Sequence, residues 1–154
     1  MKKYILTILI SMVPLVELRG GVPFGIAYGI DWYVALPICM AANMVPVPFI
    51  FFFARKVLVW GSDKKYTRRF FTFCLEKGEH GGQKLKAKAG KGIYVALLLF
   101  VGIPLPGTGA WTGTLAASML DLEFKKSIIA VILGVLLAGI IMTVLSLLGV
   151  MALT

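Results

Sequence analysis

The segment PLVELRGGVPFG, residues 14–25, decides how this chain is read. Uncharged residues run before it from Tyr4 to Val16, and only apolar residues and glycines follow as far as Ile30. Between them stand a carboxylate, Glu17, and a guanidinium, Arg19, wedged between Pro14 and Pro23 and followed by Gly20 and Gly21. Intramembrane ionisable residues are costly and usually functional. On a regular helix, residues two apart do not face each other; at a break, both can turn toward one cavity. The alternatives are an ion pair that fixes the tip of a turn, or two side chains near the interface that snorkel out.

The surroundings settle the solvent. The chain has 154 residues, enough for one domain, with 59% hydrophobic and 15% charged residues and a mean hydropathy of +0.91. Charge-free runs cover Trp32–Ala54, Gly92–Leu120 and Ser127–Thr154, and a bilayer core takes roughly 20 apolar residues per helix. An integral membrane protein follows. The opening MKKYILTILISMVPLV has the lysines and apolar core of a secretory signal, but LVELRG offers no small-residue cleavage site, so the segment is expected to stay.

Net charge is +9 and is concentrated in one place. Lys64, Lys65, Arg68, Arg69, Lys77, Lys84, Lys86, Lys88 and Lys91 face only Asp63, Glu76 and Glu79 between residues 61 and 92. Beside membrane spans this reads as a cytoplasmic loop of a protein in the cell membrane, not as a nucleic-acid site. Within it, Lys64–Lys77 has the spacing of an amphipathic helix lying on the anionic leaflet or on the protein's own cytoplasmic face. His80 reads as a solvated loop residue. No metal site or cofactor is expected, and Cys39 and Cys74 fall in different surroundings, so no disulfide is expected either.

The apolar runs fall into two halves, each a broken segment followed by a continuous one. Tyr4–Val16 and Ile93–Val101 are too short to cross about 30 Å, and both run into helix-stopping glycines or prolines. The fold expected is all-α: an inverted repeat of two units, each a re-entrant helical hairpin plus a transmembrane helix. The hairpins take residues 4–30 and 93–120, the spanning helices 32–58 and 126–153, and the basic loop 61–92. A single kinked span is the alternative for each hairpin. Gly21–Gly25 and Gly109–Gly113 align as G-x-x-x-G just after each break, and an odd number of crossings per half inverts the second half, as in secondary transporters. Non-helical backbone at membrane depth must face protein or a wet cavity. Two spans are few to wall off two hairpins, so a homodimer is expected, with Gly134-x-x-x-Ala138 as a close-packing face either between chains or within one.

In this frame Glu17 is the candidate proton carrier, because burial favours the neutral acid unless Arg19 or backbone donors hold it charged. Arg19 is the candidate for a phosphate or carboxylate. The second break, GIPLPGTGAWTG (residues 102–113), has no charge. Its glycines, Gly107 and Gly109, permit a nest of amides; Pro104 and Pro106 set the turn; Thr108, Trp111 and Thr112 add side-chain donors. A tight turn that merely permits close packing explains the same residues. Asn43 is expected to bond across helices or to cap a kink.

Together, P-x-x-E-L-R-G-G-V-P-x-G near the start and G-I-P-L-P-G-T-G-A-W-T-G in the third segment closely resemble the small multidrug export protein family, over essentially the whole chain. That family is distantly similar to the DedA-type membrane proteins, which pair re-entrant hairpins in an inverted repeat and are linked to lipid-phosphate translocation. The resemblance implies that Glu17 and Arg19 match the acidic and basic positions of the first hairpin; the second hairpin here has no arginine, unlike the DedA pattern. The function expected is a proton-coupled transporter of a small amphipathic, anionic or lipid-linked substrate such as a polyprenyl phosphate, with the bilayer and a second copy as partners. The alternative is a membrane scaffold or assembly factor whose basic loop recruits partners. No nucleophile–base pair is legible, so no enzyme is expected.

Overall fold

A computed structural model describes residues 1–14, 16–62, 68–69, 72, 76, 83, 92–105 and 107–153. The amphipathic helix read over Lys64–Lys77 falls largely outside these residues, as do Cys74 and His80. The described elements are helices: α1 (Lys2–Met12), α2 (Glu17–Ala27), α3 (Trp32–Met44), α4 (Val47–Ser62), α5 (Ile93–Gly102), α6 (Ala110–Met119) and α7 (Phe124–Leu153).

The two breaks arise the same way. A residue before proline is pushed out of the helical region, and α1 ends where Val13, extended at φ −69° and ψ 129°, precedes Pro14. Likewise α5 ends where Ile103, at φ −79° and ψ 120°, precedes Pro104. The segment expected as one helix over 32–58 is divided at Val45–Pro46 into α3 and α4, where Pro46 and Pro48, within one turn, lack amide donors; Val45 itself stays helical, so Trp32–Phe53 continues as one apolar stretch.

Small residues set how the pieces pack. The α1 and α2 axes run antiparallel: Lys3 Nζ donates to Gly29 O at 2.7 Å, Gly25 lies against Thr7, and Gly21 against Ser11. A Cβ on Gly21 would overlap the Ser11 hydroxyl, so this contact requires glycine. On its other side α2 meets α3, with Gly21 at Cys39 and Gly25 at Ala35. Thr7 and Ser11 are fully buried but return their hydroxyls to Lys3 O and Thr7 O at 2.8 Å, which removes the cost of burying them.

The second half repeats the order. Helix α6 folds back on α5, with Gly113 against Val101 and Leu97 and the Glu123 amide donating to Tyr94 Oη at 3.3 Å. Helix α7 then runs beside α5 in the same direction: Lys126 sits over the Tyr94 ring, Gly134 meets Leu98 and Val101, and Gly102 meets Leu137. Against α3 and α4 it runs the opposite way, since Phe124 stacks on Phe51 and Phe52 while Gly139 reaches Leu36. The core closes around Leu18, Val22, Leu97, Val101, Val131 and Val135.

Large apolar side chains cover the outside, among them Leu6, Leu9, Phe49, Ile129, Leu133 and Leu148. Two stretches, Trp32–Phe53 and Phe124–Gly149, are long and apolar enough to cross a bilayer, with mean hydropathies of 1.9 and 3.0. The Gly134-x-x-x-Ala138 face packs within the chain: Ala138 is buried, and a Cβ on Gly134 would stand 2.7 Å from Leu98 O. That oxygen is backbone and cannot step aside. Gly134→Ala should therefore lower the unfolding midpoint in detergent, at a cost of about 1–3 kcal/mol. Gly149, on the same helix, has nothing near it, and Gly149→Ala should leave the midpoint unchanged or raise it by its gain in helix propensity, up to ~1 kcal/mol. Equal losses in the two variants would contradict the α5–α7 packing.

Candidate functional site

A broken helix leaves the last carbonyls of one piece and the first amides of the next without partners. In the second half these are the carbonyls after α5 and the amides that begin α6. Glu17 and Arg19 reach across from the first break and take both sets.

The Arg19 guanidinium spans the C-terminal side. Its Nη1 donates to Leu105 O at 2.7 Å and to Thr108 O at 2.9 Å. Its Nη2 donates to Thr108 Oγ1 at 2.9 Å and, at longer range, to Ile103 O and Val101 O at 3.2 and 3.3 Å. The Thr108 hydroxyl in turn lies 2.8 Å from Leu105 O and 3.0 Å from Ile103 O, so it tightens the same turn. A cation placed among carbonyls at a helix C-terminus also meets the negative end of the helix dipole. A planar fork of donors suits several carbonyls at once in a way a lysine cannot match.

The Glu17 carboxylate takes the N-terminal side. Its Oε2 accepts from the Ala110 amide at 3.1 Å and its Oε1 from the Trp111 amide at 2.9 Å. It is 3% exposed. An anion held by two amides at a helix N-terminus is favoured by the same dipole. Two backbone features make the contact possible. Glu17 itself is in the left-handed region, at φ 53°, a costly conformation for a residue with a side chain. Gly109 is at φ 136°, and a Cβ there would overlap the Glu17 carboxylate, so this position requires glycine on two grounds. The two charged groups bond to backbone and not to each other.

The other sequence-derived site residues sort by distance from this pair. Thr108, Gly109 and Trp111 are in it. Gly20 and Gly21 sit on α2 just beyond it, Gly20 against Val16 and Ile10 and Gly21 in the α1–α2–α3 contact. Thr112 turns its hydroxyl toward Gly109 O at 3.5 Å. Gly107, at φ 80°, is exposed with open space around it, and Pro104 is half-buried in the turn. Pro106 falls outside the described residues.

Asn43 is fully buried at the end of α3 with its amide facing the Glu17 carboxyl of α2, the cross-helix position expected of it, although no hydrogen bond of strict geometry reaches Nδ2 or Oδ1 among the described residues. The Trp111 indole Nε1 and the Thr114 hydroxyl are buried and unpartnered in the same sense. Sequence pattern had no way to find the Val101, Ile103 and Leu105 carbonyls or the Ala110 amide, because any residue supplies them. Among the described residues no cluster of His, Cys, Asp and Glu is arranged to hold a metal ion.

Arg19→Lys should destabilise the protein by at least about 2 kcal/mol, since one ammonium cannot replace a fork serving four carbonyls and each lost charged hydrogen bond costs about 1.5–3 kcal/mol. Gly109→Ala should cost a comparable amount through φ and overlap. Glu17→Gln keeps one acceptor but turns an NH2 group toward the other amide, so it loses one charge-assisted hydrogen bond as well as the charge against the dipole, about 2 kcal/mol or more in a buried setting. Unfolding midpoints in one detergent rank the three; a mild Arg19→Lys would remove the guanidinium from its place in the fold.

Comparison with curated proteins and with solved structures gives no match. Comparison with protein families does: residues 17–141, which begin at Glu17 just after the first break and run through the second to the middle of α7, match the family described as "Putative small multi-drug export protein". With most of its length matched, including Glu17, Arg19 and the whole second break, the chain belongs to that family.

Proposed function

We propose that this protein carries a small amphipathic solute bearing an anionic group, with lipid-linked phosphates within that class, across the cell membrane, and that Glu17 exchanges a proton during transport. The observation that carries the reading is that the Glu17 carboxylate occupies an anion site: two converging amides at the start of α6. When Glu17 takes up a proton, its hold on the Ala110 and Trp111 amides weakens, and an anionic group on the substrate takes its place. Return of the carboxylate expels the substrate. Arg19 stays on its carbonyls throughout and keeps the broken backbone in shape.

In this reading the α1–α2 and α5–α6 pairs are re-entrant hairpins of an inverted repeat. What supports it is that each pair folds back on itself, that both breaks lie at a residue before proline, and that α7 runs opposite to α3. A second copy covers the turn at residues 103–107, where Ile103 and Leu105 are about half exposed and irregular backbone is not stable against lipid. The basic loop lies in the cytoplasm. The carrier performs no covalent chemistry.

A second reading has one observation in its favour. Apart from the Arg19 bond to the Thr108 hydroxyl, the hydrogen bonds of Glu17 and Arg19 go to the protein's own backbone, which is what a static latch in a membrane scaffold or assembly factor needs. Transport by reconstituted protein separates the two. In liposomes carrying a fluorescent polyprenyl-phosphate analogue, a pH gradient should accelerate movement of the analogue, and Glu17→Gln should reduce that acceleration by about tenfold, equivalent to ~1.4 kcal/mol of lost discrimination. A folded Glu17→Gln variant that responds to the gradient like the parent protein would eliminate the proton role, and no movement at all would favour the latch.

A further inference from the structure

Among the described residues, the buried side-chain polar atoms left without partners, other than Ser127 Oγ on α7, belong to α6 and to the end of α3. Asn43 and the start of α6 share Glu17: the carboxyl lies beside the Asn43 amide and accepts from the Ala110 and Trp111 amides. Further along, Ser118 Oγ donates to Phe51 O at 2.6 Å. These two anchor points fix α6 alongside the α3–α4 chain, with Ala110, Thr114 and Ser118 at steps of four on one face of α6, facing Asn43 before the α3–α4 break and Phe51 beyond it. Residues four apart on a helix lie one above the other. Thr114 therefore falls between the anchors, and Trp111, three residues before it, borders the same strip. Asn43 and Thr114 are 0% and 1% exposed. Asn43 Nδ2 and Oδ1, Trp111 Nε1 and Thr114 Oγ1 all lack a partner among the described residues.

Buried polar groups in native proteins are paired with protein or with ordered water. A water needs two to four polar partners to be held, and this strip supplies donors and acceptors in succession from the Glu17 carboxyl toward Ser118. We propose that the seam between α6 and the α3–α4 break binds a short file of ordered water that connects Glu17 to the end of the molecule where Ser118 and Lys126 lie. The proposal deepens the carrier reading, since such a file is the route by which Glu17 would exchange its proton with that side. The charge acting on Glu17 is that of Arg19, from its own helix; α3 presents Asn43 and α6 the two amides, and α1 and α7 present no titratable group to it among the described residues.

The indole of Trp111 reports on the seam without reference to transport. The chain has three tryptophans, Trp32, Trp60 and Trp111, so the Trp111 indole resonance of the full chain in lipid nanodiscs is assigned by its loss in Trp111→Phe. It should show a cross-peak to water and exchange with deuterated solvent at least roughly tenfold faster than core amides such as those of Val131 and Val135. Thr114→Val, which keeps the shape and removes the hydroxyl, should slow that exchange and lower the unfolding midpoint. An indole as protected as Val131 with no water cross-peak, together with a Thr114→Val midpoint that rises, would overturn the seam: a hydroxyl buried dry is a burden whose removal stabilises. That result leaves the response of Glu17→Gln to a pH gradient as a separate question, so failure of the seam and failure of the carrier reading are told apart.

Discussion

The backbone groups at the gap between α5 and α6 have no helical partners, and an apolar interior offers little water to stand in for them. Each one left bare would cost several kcal/mol. Glu17 and Arg19 meet that demand in a divided way, the acid on the amides that start α6 and the base on the carbonyls that follow α5. Each charge also meets the dipole end of opposite sign. Two residues of one break therefore hold open the other, and the two halves of the chain are joined at their least regular points.

That arrangement constrains much else. Leu18, between the two charges, is buried in the core and lies close to Gly139 of α7, so the α2 start is pinned on one side by packing while its charged side chains reach across on the other. The left-handed backbone at Glu17 and the φ of 136° at Gly109 are the two conformational costs of bringing the carboxylate onto α6. Close contacts at Gly21 let α2 approach α1 and α3, and those at Gly113 and Gly134 let α6 and α7 approach α5. Even Lys3 has a local role, at Gly29 O beyond the end of α2.

Function enters where the accounting is incomplete. Glu17 and Arg19 are satisfied by backbone and the Thr108 hydroxyl, but Asn43, Trp111 and Thr114 carry buried polar atoms without partners among the described residues. In the carrier reading proposed above, an acid that doubles as an internal stand-in for an anion would link occupancy of the site to its own charge state.

Much was legible from sequence. Hydropathy gave the two spans; Val13-Pro14 and Ile103-Pro104 announced the breaks; and two charges inside apolar sequence marked Glu17 and Arg19 as the residues to watch, because charge at membrane depth is too costly to be incidental. The interruption at Val45–Pro46 was also written in the prolines, but a run of apolar residues masked it. What the partners of Glu17 and Arg19 are, the chain order could not say. They are backbone amides and carbonyls about ninety residues away, and every residue type carries such groups, so no pattern of side chains distinguishes them. Only the tertiary fold, by packing α2 against α7 and α6 against α4, brings one break onto the other. The same holds for Asn43: sequence made it one amide in a span, and its place beside a carboxyl is set by how three helices meet.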